Sequence, residues 1–201
     1  MNSSPPTRLF LIRHGEVEGA GLRLHGHVDV ALTAHGHGQL AAVAERLREE
    51  PFAAVYCSDL QRARFGAEQV AAGRGIPVVE DPAFRELDMG RWDGRLMAEL
   101  WREERTELQG WWDDLVGFTL PGGESVGALR RRVLPALERL VAQHRGETVA
   151  LVAHGGTNRV ILFEALGMDL ARFHALAQDY ACVNRLEYFP DGNTVVKLVN
   201  G

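Results

Sequence analysis

The stretch LFLIRHGE at residues 9 to 16 passes from four apolar residues directly into an arginine, a histidine, a glycine and a glutamate. The apolar part predicts a buried β-strand over residues 8 to 12. Two further runs, AAVYC at residues 53 to 57 and TVALVA at residues 148 to 153, have the same character. Each run is followed by a polar, glycine-bearing segment and then a helical pattern. Helices that alternate with buried strands favour a three-layer α/β/α sandwich with a mostly parallel sheet.

The rest of the chain predicts further helices and a terminal hairpin. Apolar residues that recur every three or four positions indicate helices after the N-cap residue Thr33, at residues 59 to 72, from residue 126 onward, at 156 to 166 and at 169 to 178. Pro135 should kink or divide the helix in which it lies. Short strands are predicted at residues 76 to 79 and 183 to 189, the second paired in a hairpin with TVVKLV at residues 194 to 199.

Residues 82 to 123 are loop-rich and end in the turn PGG, which predicts a small cap inserted into a single domain of residues 1 to 201. All four tryptophans lie within this cap, at positions 92, 101, 111 and 112. They predict either a small packed cluster or rings that line a pocket mouth and stack on an aromatic leaving group.

Composition argues against several classes of protein. The 201 residues are 46% hydrophobic and 24% charged, close to the average for globular domains. The net charge of −5 provides no general attraction to nucleic acid or to anionic membranes, so local cations must hold any anionic ligand. The N-terminal MNSSPPT lacks the regions of a signal peptide, and no apolar run approaches the ~20 residues of a membrane span. We therefore expect a cytoplasmic protein that binds neither nucleic acid nor membrane.

Two local features carry plain structural predictions. The run Arg130-Arg131-Arg132 lies in a helical pattern and is predicted to form a solvated helix face. Cys57 and Cys182 are far apart in the chain, which argues against a disulfide framework and a thiolate zinc site. Both cysteines are predicted to be reduced.

Charged and titratable side chains follow two of the predicted strands at the point where each strand ends. RHG at residues 13 to 15 follows the first strand, and HGG at residues 154 to 156 follows TVALVA. Ligands of open α/β sheets bind beyond the carboxyl ends of the strands, so the two histidines face each other if their strands are neighbours. Arg62, in the first turn of the helix after AAVYC, adds another cation. Arginines, histidines and helix N-termini together predict an anion site suited to a phosphoryl group.

Five segments together resemble the motifs of the histidine phosphatase superfamily, whose fold is shared by cofactor-dependent phosphoglycerate mutase and α-ribazole phosphatase. Between residues 8 and 166 they are LFLIRHGE, RLHGHVDVALTAHGHGQ, VYCSDLQRAR, FRELDMGRWDG and LVAHGG, in the order that the family shows. The resemblance implies a phosphoglycerate mutase-like fold.

The resemblance also implies a role for individual residues. The implied catalytic residues are His14, Glu86 and His154, and the implied substrate-binding residues are Arg13, Arg62, His154, Gly26 and Gly155. His14 would be the nucleophile that forms a phosphohistidine, and Glu86 would donate a proton to the leaving oxygen. A nucleophilic imidazole must be neutral, and neighbouring arginines disfavour its protonated form. Glu86, by contrast, must be protonated before it can donate, so its surroundings should favour the protonated carboxyl group.

Glu16 is a rival for the role of acid because it lies two positions after the implied nucleophile. Sequence spacing does not separate the two glutamates, and only the resemblance favours Glu86.

Several positions depart from the usual pattern of the family. They are Val17 where threonine is common, Ala20 in place of asparagine, His25 in place of glutamine, Gly66 in place of threonine and Asp93 in place of glutamate. None removes a core catalytic residue, but together they make the substrate harder to infer by analogy.

The short stretch of sequence between the implied acid and the second histidine favours hydrolysis over phosphoryl transfer. Glu86 and His154 are 68 positions apart, whereas the mutases of the superfamily carry a longer insertion there. A short cap admits water, which predicts a phosphatase of a small phosphorylated metabolite, with α-ribazole 5'-phosphate as a candidate. Mutase-type transfer and a catalytically weak phosphate-binding module remain the alternatives. We expect no cofactor and no metal, and the sequence leaves a homodimer open.

Two other segments of the sequence match patterns of different kinds of site, a serine hydrolase elbow and a zinc site. GESVG at residues 123 to 127 matches the G-x-S-x-G elbow of serine hydrolases, but no strand precedes it and the HGG motif follows it in the wrong order. Four histidines, at positions 25, 27, 35 and 37, form two H-x-H pairs that could bind zinc, but no carboxylate or cysteine set completes such a site.

Overall fold

The computed structural model describes residues 4 to 201 and is organised around one six-stranded sheet. The strands are β1 (Thr7–Arg13), β2 (Phe52–Cys57), β3 (Val78–Glu80), β4 (Thr148–Ala153), β5 (Val183–Tyr188) and β6 (Thr194–Leu198). Their order across the sheet is β3-β2-β4-β1-β5-β6. The first four run parallel, β5 runs antiparallel to β1, and β6 completes a hairpin with β5. The predicted mostly parallel sheet is confirmed.

In the described part of the chain, residues 4 to 201, six α-helices accompany the sheet. They are α1 (Ala34–Arg46), α2 (Gln61–Ala71), α3 (Met97–Glu103), α4 (Arg105–Asp113), α5 (Val126–Gln143) and α6 (Gly155–Leu166). Short 3₁₀ helices lie at Pro82–Phe84, Gly90–Trp92 and Leu170–Ala175. Within residues 4 to 201, no helix is long and apolar enough to cross a membrane.

The alternation of side chains along β1 divides the core into two layers. Leu9 and Leu11 pack with the buried faces of α5, α6 and the cap, whereas Phe10 and Ile12 pack with the buried faces of α1 and α2. Successive side chains of a strand point to opposite faces, so a strand covered on both sides needs apolar residues at every position. This arrangement confirms the three-layer α/β/α sandwich.

Several elements differ from the sequence prediction. Helix α5 runs unbroken through Pro135, so the expected division is wrong, while the expected kink stays a prediction. The proline is exposed, so water can satisfy the Arg131 carbonyl that loses its helical partner. The helix predicted at residues 169 to 178 is wrong beyond the 3₁₀ helix at Leu170–Ala175. Leu176 is extended, and Gln178 is buried in a polar network.

The cap places its tryptophans in two environments. Trp92 and Trp111 are buried and contact each other edge to face at 5.9 Å. Trp101 and Trp112 keep 43% and 42% of their surface exposed. The first pair therefore packs the cap, and only the second pair could meet a ligand from solvent.

Candidate active site

Neighbouring strands bring the two predicted histidines together at the carboxyl edge of the sheet. β1 and β4 are parallel partners with Arg13 opposite Ala153, so each strand ends directly before its histidine. The imidazole rings of His14 and His154 lie 5.1 Å apart between centroids. Both side chains are buried, with 5% and 0% of their surface exposed. The predicted juxtaposition is therefore present in the structure.

The hydrogen bond of His14 fixes its tautomer. Nδ1 lies 2.8 Å from the carbonyl oxygen of Gly15, which can only accept, so Nδ1 must donate. Nε2 is then left without a proton and with a free lone pair when the ring is neutral. Burial and the guanidinium groups of Arg13 and Arg62 hold the pKa of His14 well below its usual range. A neutral imidazole with an available Nε2 is the form that can act as a nucleophile.

The second histidine is oriented by Ser58, which follows β2. Ser58 Oγ lies 2.6 Å from Nε2 of His154 and also accepts from the Leu60 amide at 3.4 Å. The hydroxyl can donate its proton to Nε2, and in that tautomer the proton of a neutral imidazole lies on Nδ1. Burial, followed by the charge of Arg62, holds the pKa of His154 well below its usual range.

The two predicted arginines are held by backbone carbonyls and not by carboxylates. Arg62 is buried and donates to the carbonyl oxygens of Gly26 and Val28 at 2.6 and 2.8 Å. Arg13 donates to the carbonyl of Gln178 at 2.5 Å, and its Cζ lies 3.8 Å from the centroid of the Tyr180 ring. Carbonyl partners orient a guanidinium group without neutralising it, so both positive charges remain available to an anion.

Three nitrogen atoms that can donate, all on residues predicted for the site, are buried without a hydrogen-bond partner among the described residues. They are Nε of Arg13, Nε of Arg62 and Nδ1 of His154. A buried donor without a partner costs about 1–3 kcal/mol, and native structures contain few such groups. Donors from three separate segments at one strand edge therefore indicate a site built to bind an anion.

Glu86 lies against the N-terminus of α6. Its Oε2 accepts from the Gly156 amide at 2.9 Å, and its Oε1 accepts from the Leu87 amide at 2.7 Å. A Cβ atom on Gly156 would lie 2.1 Å from Oε1, so only glycine allows this approach. The carboxyl group is thereby held at the amide of Gly156, which lies two positions after His154 in the sequence.

The rival acid Glu16 is engaged elsewhere. Its Oε1 accepts from the hydroxyl of Thr33, which is also the N-cap of α1, at 3.0 Å. The choice of Glu86 as the acid stays a prediction.

The two predicted binding glycines occupy different places. The Gly26 amide donates to the Asp93 carboxylate at 2.8 Å, and the Gly26 carbonyl accepts from Arg62. Gly26 therefore supports the site through its backbone. Gly155 begins α6, and a Cβ atom there would lie 3.4 Å from Nε of Arg13. Their predicted contact with substrate stays a prediction.

Two departures from the family pattern have a structural explanation. The carboxylate of Asp93 accepts from the amides of Gly26, His27 and Val28 at 2.7 to 2.8 Å and so fixes the loop that holds Arg62. At Gly66, a Cβ atom would lie 3.0 Å from Val152 and 3.1 Å from Leu40, so the glycine allows α2 to pack closely on the core.

Sequence reasoning missed three residues at this site. Ser58 directly follows a predicted strand, so the rule that selected the two histidines could have found it. Gly156 lies in the quoted HGG motif, but nothing in the sequence pairs it with Glu86. Arg132 was assigned to a solvated face, which is wrong, because it is largely buried and donates to the carbonyl oxygen of Glu86 at 2.6 Å.

The competing sites are not formed by the described residues. Ser125 caps α5 by accepting from the Ala128 amide at 3.1 Å, so the serine hydrolase interpretation of GESVG is wrong. His37 packs on Phe65, and His27 contacts the carbonyl of Glu86. Within residues 4 to 201, no three histidine, cysteine or acidic side chains are grouped as they would be to hold a metal ion.

The lowered pKa values of both histidines predict a loss of stability in mild acid. Below about pH 6.5 both imidazoles bind a proton in the unfolded protein but not in the folded protein. The free energy of unfolding should therefore fall as the pH falls, by roughly 1.4 kcal/mol per pH unit for each group. Urea unfolding in phosphate-free buffer between pH 7.5 and 5.0 measures this slope. The double variant His14→Gln, His154→Gln should be less sensitive to pH, and an equal slope in both proteins would contradict the assignment.

Comparison with known proteins identifies related chains and folds. The family model for the histidine phosphatase superfamily (branch 1) matches residues 9–201. A bifunctional protein of Mycobacterium tuberculosis is 36% identical over 197 residues, which cover 97% of this chain and 54% of the relative. This chain therefore spans about half the length of that relative.

Two further relatives match over nearly their whole length. The adenosylcobalamin/alpha-ribazole phosphatase of Salmonella typhimurium is 32% identical over 195 residues, 96% of each chain. The crystal structure of the alpha-ribazole phosphatase from Shigella flexneri superimposes with a TM-score of 0.89 at 27% identity, over 97% of this chain and 96% of that one.

Proposed function

The chain belongs to the histidine phosphatase superfamily, and from that premise we propose that it is a phosphomonoesterase that hydrolyses a small phosphorylated metabolite through a phosphohistidine. The observation that carries the proposal is the set of three buried, unpartnered nitrogen atoms on Arg13, Arg62 and His154, which can donate hydrogen bonds beside the free Nε2 of His14. A phosphoryl group offers the acceptors that these donors need.

The proposed reaction has two steps. Nε2 of His14 attacks phosphorus, the ester P–O bond breaks, and Glu86 gives its proton to the leaving oxygen. Water then attacks phosphorus and gives a proton to Glu86, the P–N bond to His14 breaks, and inorganic phosphate leaves the regenerated imidazole. The arginines and His154 would stabilise the negative charge on the transferring oxygens in both steps, where positioning and electrostatics supply most of the catalysis.

α-Ribazole 5'-phosphate is the first substrate to test. The support is the resemblance to two α-ribazole phosphatases and an exposed aromatic pair on the cap side, in which the rings of Trp112 and His174 lie 5.4 Å apart. An aromatic leaving group could stack on such a pair.

A panel of phosphate esters tests the proposal. Purified protein is incubated with p-nitrophenyl phosphate, α-ribazole 5'-phosphate, phosphoserine, 3-phosphoglycerate and a sugar phosphate, and the release of inorganic phosphate is measured. We expect hydrolysis of at least one metabolite, with a higher kcat/KM for α-ribazole phosphate than for the sugar phosphate. Equal values for those two would remove the support for aromatic stacking.

The same panel separates the alternatives. Interconversion of 3-phosphoglycerate and 2-phosphoglycerate that exceeds phosphate release would favour a mutase. Binding of phosphate without turnover of any ester would favour a non-catalytic binding module. Either result would overturn the proposed hydrolase.

A further inference from the structure

Arg132 on α5 uses all five of its N–H groups as donors to the segment that carries Glu86 and to one neighbouring glutamate. Its partners are the carbonyl oxygens of Ala83, Arg85 and Glu86 at 2.9, 2.9 and 2.6 Å, and the two carboxylate oxygens of Glu124 at 2.8 and 2.9 Å. We propose that Arg132 is a positioning residue for Glu86, an inference that rests on the proposed function.

Arg130, two positions before Arg132 on the same helix, has a different set of contacts. Arg130 is 44% exposed and, among the residues that the structure describes, donates only to Glu164 on α6. Arg132 is 22% exposed and reaches inward to a backbone segment 46 to 49 positions away in the chain. Exposed ion pairs contribute little to stability, so Arg130 provides a matched comparison on the same helix.

Arg132 is itself held in place by Glu124. Both carboxylate oxygens of Glu124 accept from Arg132, and Oε2 also lies 3.2 Å from the Asp88 amide. A bidentate pair of this kind has a defined geometry and neutralises the guanidinium charge. Arg132 therefore fits the role of a fixed support better than that of another phosphate ligand.

The contacts of Arg132 determine where the carboxyl group of Glu86 can lie. The Glu86 carbonyl accepts from Arg132 and lies 2.9 Å from Nε2 of His27, and the Arg85 carbonyl also accepts from the hydroxyl of Thr157 on α6 at 2.8 Å. The backbone on both sides of the Glu86 Cα is thus fixed to α5 and α6. The amides of Gly156 and Leu87 then complete the orientation of the side chain.

A misplaced acid should affect substrates unequally. An alkyl oxygen needs a proton when it leaves, whereas p-nitrophenolate leaves readily without one. A shift of the acid by about 1 Å can cost on the order of 10²-fold in rate. Loss of Arg132 should therefore slow the hydrolysis of alkyl phosphates and spare that of p-nitrophenyl phosphate.

The test compares Arg132→Met and Arg132→Lys with the control Arg130→Met, using kcat/KM for p-nitrophenyl phosphate and for the alkyl phosphate that the wild-type protein hydrolyses best. For Arg132→Met we expect a loss of about 10²-fold on the alkyl phosphate and less than about threefold on the aryl one. Lysine supplies three donors where arginine supplies five, so Arg132→Lys should fall between Met and wild type. Arg130→Met should match wild type on both substrates.

Two results would overturn the role. One is an equal loss on both substrates at unchanged melting temperature, which would place Arg132 in phosphoryl binding or in general structure. The other is wild-type activity of Arg132→Met on the alkyl phosphate. If Arg132→Met does not fold, the ratio of the two activities in Arg132→Lys decides the question. Failure of the proposed function would be distinguished by wild-type protein that hydrolyses neither substrate.

Discussion

Replacement of His14 by alanine is expected to lower kcat/KM for every phosphate ester by about 10⁴-fold or more, as removal of a covalent nucleophile does in other enzymes. The loss should be independent of the leaving group, because no other group of the site takes over the attack on phosphorus. Steady-state release of inorganic phosphate and of p-nitrophenolate measures it.

The control for this variant is His35→Ala, which replaces an exposed histidine of α1 in the same way. It should retain wild-type activity. His14→Ala should also still bind inorganic phosphate, because Arg13, Arg62 and His154 remain. Turnover of p-nitrophenyl phosphate by His14→Ala within about tenfold of wild type would exclude His14 as the nucleophile.

Replacement of Glu86 by glutamine should produce a different pattern, in which the loss depends on the leaving group. General acid catalysis typically contributes about 10²–10⁴-fold, so kcat/KM for alkyl phosphates should fall by that factor. The fall for p-nitrophenyl phosphate should be far smaller, because its leaving group needs no proton. Glutamine keeps the size of the side chain and retains an oxygen that can accept from the Gly156 amide.

Glu16→Gln is the matched control for the acid. Its carboxylate accepts from Thr33 at the start of α1, so its loss should reduce both activities by a similar, small factor. A selective loss on alkyl phosphates in Glu16→Gln, with normal activity in Glu86→Gln, would reverse the assignment of the two glutamates.

The sequence predicted the layout of the site because that layout follows from strand ends. Buried strands of a parallel sheet are continuous apolar runs, which made β1, β2 and β4 visible, and the polar residue after each run is placed at the carboxyl edge by geometry alone. His14 and His154 were found in this way, and Arg62 followed from the helix after β2. The identity of the acid could not be found in this way, because Glu86 follows no predicted strand.

What the sequence missed depends on contacts between distant segments. Gly156 and Glu86 are 70 positions apart, and Arg132 reaches the Glu86 carbonyl across 46 positions. The arginine run looked like a solvated face because its composition is charged, and only the packing of α5 against the cap shows that one member points inward. Gln178 is a second example. The periodicity of apolar residues predicted a helix up to this residue, but Gln178 is buried beside Asn158 and Asn184, which are distant or follow it in the sequence.

The most direct test of the proposed phosphohistidine mechanism is the identification of the residue that carries the phosphoryl group during turnover. Wild-type protein is mixed with p-nitrophenyl phosphate, quenched in alkali within the first turnovers, digested and analysed by mass spectrometry. Alkali preserves phosphohistidine. We expect one phosphoryl group on the peptide that contains His14, and none in His14→Ala. Phosphate carried by another residue, or released at the full rate with no phosphopeptide at any time point, would contradict it.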